Sequence, residues 1–551
     1  VGFYKLIGRK LSWDNVYTDI LWTTIPPTDA SDRDIYCSDS AGSDVHTFGF
    51  DFGDGTLQGQ QSRPFKTIQG AKAALRNLHG DRIWLKCGDT FTNVSGENVF
   101  GNMEGISGFS SLRRMIFGTY GVGARPILRT GTSSAISLAN HDNPSNHLLV
   151  LGLEMTAHAY DGSGVGPYGV AWLDHSTDVT LEDCYIHNWR VAVNYQAFTG
   201  SGIPIVHHAL MAIRGCVLAD TYNNDSNANN AHGVYADYCD GLTIEWCTFD
   251  QCGYFNNAAT WWTQFDHACY IQDTNTAVVF RYNVITNSDG VQVRPGGYVN
   301  HNVCSRTIQP FRLGGHSGAL ESPAVSYFED NVGLEGYAYA MRISSVIGGT
   351  CARNIWAHGS LVDHLGATRD PYGIVFEATD DSLPSCMNMT VEDNRLYDWG
   401  GPAFRYSALA TQYAAITFRR NAAQNPTYFL NGHYVDTVIS TNVALNSTHL
   451  TSSNNNICPH TFSANPVNVG GGPNESLATW NDAIGDTTSN SLAPVYHDPT
   501  RTLATWAGSL GLDATHESAV AALRGQSKAN WKTERSAGAI VDYMQKGYAP
   551  A

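Results

Sequence analysis

Apolar residues alternate with polar or aromatic ones through a run of short phrases between Gly233 and Ser344. Gly233-Val-Tyr-Ala-Asp237, Cys269-Tyr-Ile-Gln272, Gly290-Val-Gln-Val-Arg294, Pro310-Phe-Arg312 and Ala340-Met-Arg342 share this period. A period of two sends one strand face into a core and the other outward. A second phrase recurs between them: Leu242-Thr-Ile-Glu-Trp-Cys247, Val278-Val-Phe-Arg-Tyr-Asn283, Tyr298-Val-Asn-His-Asn302, Val325-Ser-Tyr-Phe-Glu-Asp-Asn331 and Gly349-Thr-Cys-Ala-Arg-Asn354. Earlier copies run from Leu148 to Leu153, Val179 to Cys184 and Met211 to Cys216. Later ones run from Met389 to Asn394, Ile416 to Asn421 and Val438 to Asn442. The step between copies varies: 19 residues from Asn283 to Asn302, 40 from Asn354 to Asn394. Coils of constant cross-section with turns of different length tolerate that variation, whereas helical repeats do not. The chain therefore predicts an all-β parallel solenoid of about ten or more coils, stacked roughly 4.8 Å apart.

Read in order, residues 1–30 lack a period and form a neck or linker. Residues 31–90 form a capping region and first coil. Arg33 to Tyr36 reads as a strand. Ile68, Ala71, Leu75 and Leu78 fit one face of a helix that would cap the open end, and Gly80 to Asp89 returns to strand. Residues 91–475 form the solenoid. Residues 476–551 change texture to short helical patterns and loops, a C-terminal cap or packing segment.

Composition narrows the function. Charged residues are 15 % and aromatics 11 %, with 13 Trp and 27 Tyr. Such surfaces suit sugars, which stack on rings, although most of these rings would fill the coil interior. The net charge of −17 argues against nucleic acid. Between Lys86 and Lys528 there is no lysine, so the solenoid's positive charge lies on Arg and His. No apolar run is long enough for membrane insertion. The start, Val1-Gly-Phe-Tyr-Lys-Leu6, does not read as a signal peptide, and export is left open. Of 12 cysteines, Cys184, Cys216 and Cys247 hold one position of the second phrase, where Asn283 follows. They read as small buried residues of an interior ladder, not as disulfides or metal ligands.

The entry region carries a resemblance. Tyr36 to Ser38, Gly42-Ser-Asp44, Pro64-Phe-Lys-Thr-Ile68, Gly80-Asp81 and Lys86-Cys-Gly-Asp89, with the later Val/Ile-x-x-Asn phrases, resemble the pectin-lyase-like right-handed parallel β-helix superfamily over roughly residues 33–475. Within it the chain looks most like phage tailspike polysaccharide depolymerases. That resemblance implies a homotrimer on a virion tail, attached through the N-terminus, cutting a bacterial capsule or O-antigen; a secreted or cell-surface protein is the alternative, and no cofactor is expected.

Outward residues of a coiled sheet form straight columns. The first phrase aligns Asn194, Asp237, Gln272, Arg294, Arg312, Arg342, Glu377 and Arg405 in one column, with Tyr235, Tyr270 and Gln292 in the next. Arginines in a row suit an acidic glycan, because guanidinium grips carboxylate bidentately; they equally suit pairing with carboxylates from the turns. Long turns before Asp237, before Gln272 and after Arg312 would build a wall, where Trp261 and Trp262 could stack sugars or meet a neighbouring subunit. Glycoside hydrolysis needs two carboxyls about 5–9.5 Å apart. Asp237 and Asp273 on adjacent coils are the first pair, Asp266 and then Asp289 the next candidates, and His267 and Tyr270 could shuttle the proton. Elimination from a uronate would instead draw on Arg294, Tyr270 or His267. Asp51 to Asp54 reads as a turn, and no metal site is expected. Hydrolysis is placed ahead of elimination, and a non-catalytic glycan-binding fibre is the third reading.

Overall fold

The structure is a computed structural model. It describes residues 19–138, 143–163, 166–173, 175–197, 205–224, 230–255, 266–315, 324–360, 372–377, 386–424, 429–430, 433–434, 437–458, 465–470 and 472–551. The chain coils into a parallel β-helix. Among the described residues three sheets of 17, 14 and 13 strands run its length, and successive coils pair in parallel. Successive coils place short strands in these sheets, some coils two in the 17-stranded sheet, as at Cys239–Asp240 with Thr243–Glu245 and at Cys386–Met387 with Met389–Glu392, so their apolar residues meet those of the coils above and below inside the tube. Val234, Cys269, Val291, Phe311 and Met341 form one such interior column.

The tight turn between the 17- and 13-stranded sheets explains the second phrase. Its first residue is left-handed in coil after coil, whatever its side chain: Asp183, Trp246, Tyr282, His301, Asp330, Arg353, Asp393 and Arg420 all have φ between 54° and 59°. Each such residue costs roughly 1 kcal/mol or more. The next residue turns inward and offsets it. Asn283 donates its amide to Asn302 at 3.0 Å, Asn302 to Asn331 at 2.9 Å, and the chain continues through Asn354, Asn394, Asn421 and Asn455 to Ser489. Each Asn oxygen also accepts the backbone N–H of the preceding rung, as Asn331 does from Asn302 at 3.0 Å. Upstream, thiols stand in the same place: Cys184 N–H lies 3.4 Å from Cys216 Sγ, and Cys247 N–H donates to Asn283 at 2.9 Å. All twelve cysteines are unbridged.

Two expectations are corrected. The final copy, Val438 to Asn442, belongs to the 14-stranded sheet, and the ladder continues at Leu450–Ser453 and Asn455. The capping helix α1 spans only Ile68–Lys72; Leu78 lies beyond it, 61 % exposed and left-handed. The C-terminal residues form α2 (Leu477–Ile484), α3 (Leu503–Ser509), α4 (His516–Arg524) and α5 (Ala537–Gly547). Helix α2 closes the far end of the tube with Leu477, Trp480 and Ile484. The other three pack on the outer face of the 13-stranded sheet, against Val303, Val332 and Ile355. Arg524 bridges Asp220 and Asp250, and Tyr548 meets His358 at 3.0 Å. The N-terminal stretch joins the same layer, with Trp22 edge-on to Trp531 and Asp19 accepting from the Trp531 indole. Among the described residues no helix is long and apolar enough to cross a membrane.

Asn331→Ala removes one rung and leaves Asn302 donors and the Val299 carbonyl buried without partners. The expected loss is about 3 kcal/mol. Cys216→Ala, which removes only a small buried thiol, should cost about 1 kcal/mol. Denaturant midpoints of the two variants compare them directly.

Candidate functional site

The groove lies on the outer face of the 14-stranded sheet. Its floor is one register column: Tyr235 pairs with Tyr270, Tyr270 with Gln292, Gln292 with Arg312, and Arg312 with Arg342. The column predicted from sequence joined two. Asn194 lines up with Tyr235, whereas Asp237 lines up with Gln196. Arg312, Arg342 and Arg405 belong with the tyrosines; Gly314, Ser344 and Glu377 form the second file. Gln272 and Arg294 each stand one place beyond the paired Ile271 and Val293, beside that second file. Of these, Tyr235, Tyr270, Gln272, Gln292, Arg294, Arg312, Gly314, Arg342 and Ser344, with Asn230, His267, Leu313 and Gly315, line a volume of about 420 Å³. Among the described residues its lining holds no Asp or Glu.

The arginines differ in what balances them. Arg312, 7 % exposed, lies 3.3 Å from Asp289, and Arg342 is ion-paired with Glu377. Arg294 donates to the Gln272 side-chain carbonyl at 3.2 Å and rests over the Tyr270 ring, 5.1 Å from its centroid. It has no carboxylate partner among the described residues.

His267 enters the groove wall from below. It is 2 % exposed, and its Nδ1 lies 2.8 Å from Asp289 Oδ2. That contact fixes the tautomer: the carboxylate accepts from Nδ1–H, and Nε2 keeps its lone pair. Its ring lies 4.9 Å from that of Tyr270 and stacks at 5.7 Å on His232, its register partner. Burial, with Arg312 and Arg294 adding to it, holds the His267 imidazole well below its ordinary pKa. Burial raises the Tyr270 hydroxyl, against the pull of Arg294, and raises Tyr235 to about 12. Neither His232 nor the dyad formed by Asp289 was singled out from sequence. A signal existed: His232-Gly-Val-Tyr235 and His267-Ala-Cys-Tyr270 repeat one His-x-x-Tyr spacing.

The carboxyl candidates fare unequally. Asp237 sits at the groove's end, where Thr274 hydrogen-bonds it and burial raises its pKa. Asp273 lies in the same turn as Thr274, half-exposed. Asp266 is buried and accepts from the Ala231 backbone N–H at 2.8 Å, a structural bond that holds the strand entry. Glu377 is tied to Arg342. Trp261 and Trp262, with most of the expected wall, lie outside the described residues.

Elsewhere, a depression of about 810 Å³ at the first coil is lined by Asp32 to Asp34, Tyr36 and Phe48. Its Asp34 already accepts from Trp84 and Thr28. Asp32, His79 and Asp81 bring three metal-type ligand atoms within 4.8 Å, yet Arg113 and Arg76 neutralise the two carboxylates. Asp51 and Asp54 accept from Gly53 and Thr56 as turn caps.

No family model and no curated protein matches the sequence. Solved structures match in shape at low identity. One is a GH136 lacto-N-biosidase from Eubacterium ramulus, 11 % identical over 79 % of this chain and 68 % of that one, TM-score 0.35. Another is the PL6 family alginate lyase AlyGC, 11 % identical over 79 % and 60 %, TM-score 0.38. A third is a rhamnogalacturonan lyase, 12 % identical over 81 % and 90 %, TM-score 0.30. Likeness at this level carries no argument about chemistry, which rests on the groove.

The buried imidazoles give a pH prediction. Burial holds His208 at about 4 and His232 well below its ordinary value, like His267. Unfolded histidines take up protons near pH 6.5 and these do not, so stability is full above that value and falls as pH drops through it. His208 alone should cost ~2 kcal/mol by pH 5. Unfolding midpoints measured from pH 7.5 to 5 should decline, and His208→Gln should flatten the decline.

Proposed function

We propose that the chain binds and cleaves an acidic bacterial surface polysaccharide by β-elimination at a uronate. The observation that carries this reading is the groove's lining: Arg294, Arg312, Arg342, Tyr270 and His267 converge there without a lining carboxylate among the described residues. Arg294, balanced among the described residues only by a neutral amide and a ring, takes the uronate carboxylate and acidifies the adjacent C5–H. His267 Nε2, neutral because its imidazole is buried, accepts the C5 proton. The C5–H electron pair becomes the C4=C5 double bond, and the C4–O4 bond breaks. Tyr270, whose raised pKa keeps its hydroxyl protonated, donates that proton to the departing O4. Asp289 acts through His267 as a positioning residue.

One observation favours hydrolysis as the second reading. The raised pKa of Asp237 suits a general acid. Glu377 is five strand steps away, roughly 24 Å, too far to be its partner. The partner would have to be Asp273 in the neighbouring turn. The trimeric tailspike setting belongs to the same proposal. Light scattering that finds three chains per particle would support it, and one chain per particle would remove it.

Purified acidic capsules are the substrate test, with absorbance near 235 nm and reducing ends followed together. Both should rise. His267→Ala and Arg294→Ala should lower the rate by about 10²–10⁴, with Asp289→Asn intermediate. The acid limb of the kcat/KM profile should fall below the ordinary imidazole range, since protonation of His267 is held off by burial. Reducing ends without absorbance, abolished by Asp237→Asn, would replace elimination with hydrolysis.

A further inference from the structure

Four arginines stand along the groove sheet from Arg294 to Arg405, and they fall into two kinds. Arg312 and Arg342 are each matched by a carboxylate on the protein. Arg294 and Arg405 have no carboxylate partner among the described residues, and each lies over a tyrosine ring. Arg294 is 5.1 Å from the Tyr270 centroid, and Arg405 is 4.2 Å from that of Tyr372. Arg405 is half-buried, and Tyr372 is braced by a near-parallel stack on Tyr339 at 5.6 Å and 16°.

The register fixes the distance between these two cations. The Arg294 coil pairs with that of Arg312, then with those of Arg342 and Val375, then with that of Arg405. Four pairings amount to roughly 19 Å along the axis. A guanidinium laid on a ring is held in place and partly desolvated. That state favours a carboxylate, which can accept two parallel hydrogen bonds. The two matched arginines between them cannot offer the same gain without breaking an internal pair.

We propose that Arg405 and Tyr372 form a second anion subsite, which holds a later acidic unit of the same glycan chain whose cleaved uronate lies on Arg294. The inference rests on the reading of the groove as a polyuronate site. It deepens that reading: the ligand is a polyanionic chain laid parallel to the solenoid axis, with acidic units recurring at a spacing that reaches across four coils. A glycan with a single acidic unit would engage Arg294 alone.

Binding tests this apart from cleavage. Affinity electrophoresis in gels cast with alginate, polygalacturonate, hyaluronate or polysialate compares wild type with Arg405→Ala, Arg405→Lys and Tyr372→Ala. At least one polymer should retain the wild type. On it, Arg405→Ala should bind roughly three- to tenfold more weakly, and Arg405→Lys should restore only part. A disaccharide of the same polymer, too short to reach both arginines, should compete equally well against both proteins. An unchanged melting midpoint for Arg405→Lys guards against misfolding of the alanine variant. Equal retention of Arg405→Ala and wild type on every polymer would overturn the subsite. So would a wild type that none of the four retains. Weakened polymer binding without any 235 nm product would keep the subsite and discard elimination.

Discussion

Everything on the groove face depends on the coils keeping one phase, and the interior amide ladder holds that phase. A parallel sheet alone would let a coil slip or tilt, because its hydrogen-bond pattern recurs every two residues. The ladder side chain is different. It bonds the corresponding side chain and the backbone of the adjoining coils, and its buried N–H and C=O groups are costly if left unmatched. The left-handed residue before it is the steric condition for the turn. That is why Trp246, Tyr282 and Arg353 adopt a conformation that usually falls to glycine. The thiols of Cys184, Cys216 and Cys247 fill the same volume with weaker bonds. The upstream coils are also tied to the C-terminal layer, where Lys528 pairs with Glu182 and its backbone N–H donates to Asp183.

With the phase fixed, chemistry follows from which residues the outward files bring side by side. Neighbours in a file are separated by one strand spacing, about 4.8 Å. Like charges at that distance repel, and the neighbouring Arg312 and Arg342 are each matched: Asp289 answers Arg312, and Glu377 answers Arg342. Asp289 is shared between Arg312 and His267. One buried carboxylate thus steadies a cation and selects a tautomer. His232 beneath His267 keeps the site tight without adding charge, since burial holds both rings neutral.

The repeat was legible in the sequence because a strand's inward residues must be apolar and a ladder residue must be small and polar or a thiol. Alternation and the Asn/Cys position both follow from that. What misled was the frame. Asp237 and Asn194 look equivalent when phrases are aligned by eye, yet the pairing puts Tyr235 against Asn194, because the strand His232–Asp237 enters from a long turn of variable length. Turn length carries no periodic signal, so a shift of two residues along a strand preserves the inside–outside pattern and changes the file. Leu78 fitted a helical face by spacing, but α1 already ends at Lys72. The His–Asp dyad was beyond pattern reading, since Asp289 lies on the coil after His267 and only the register joins them.

The net charge of −17 and an anionic ligand look contradictory until distance is considered. At physiological ionic strength charges more than about 8 Å apart are largely screened, so a bound chain senses the groove and not the whole surface. The surface acids are also largely matched where they crowd. Glu329 and Asp330 hold Arg353, and Glu392 and Asp393 hold Arg420. Those pairs lie on the 17-stranded sheet and its turn, away from the groove. The absence of lysine between residues 86 and 528 has a physical sense in this setting. A lysine is a mobile point charge that attracts any anion, whereas an arginine laid on a ring presents a planar fork of fixed direction. A solenoid with arginine as its only permanently charged cation discriminates by geometry, and on this face that geometry is set by the positions of Tyr270 and Tyr372.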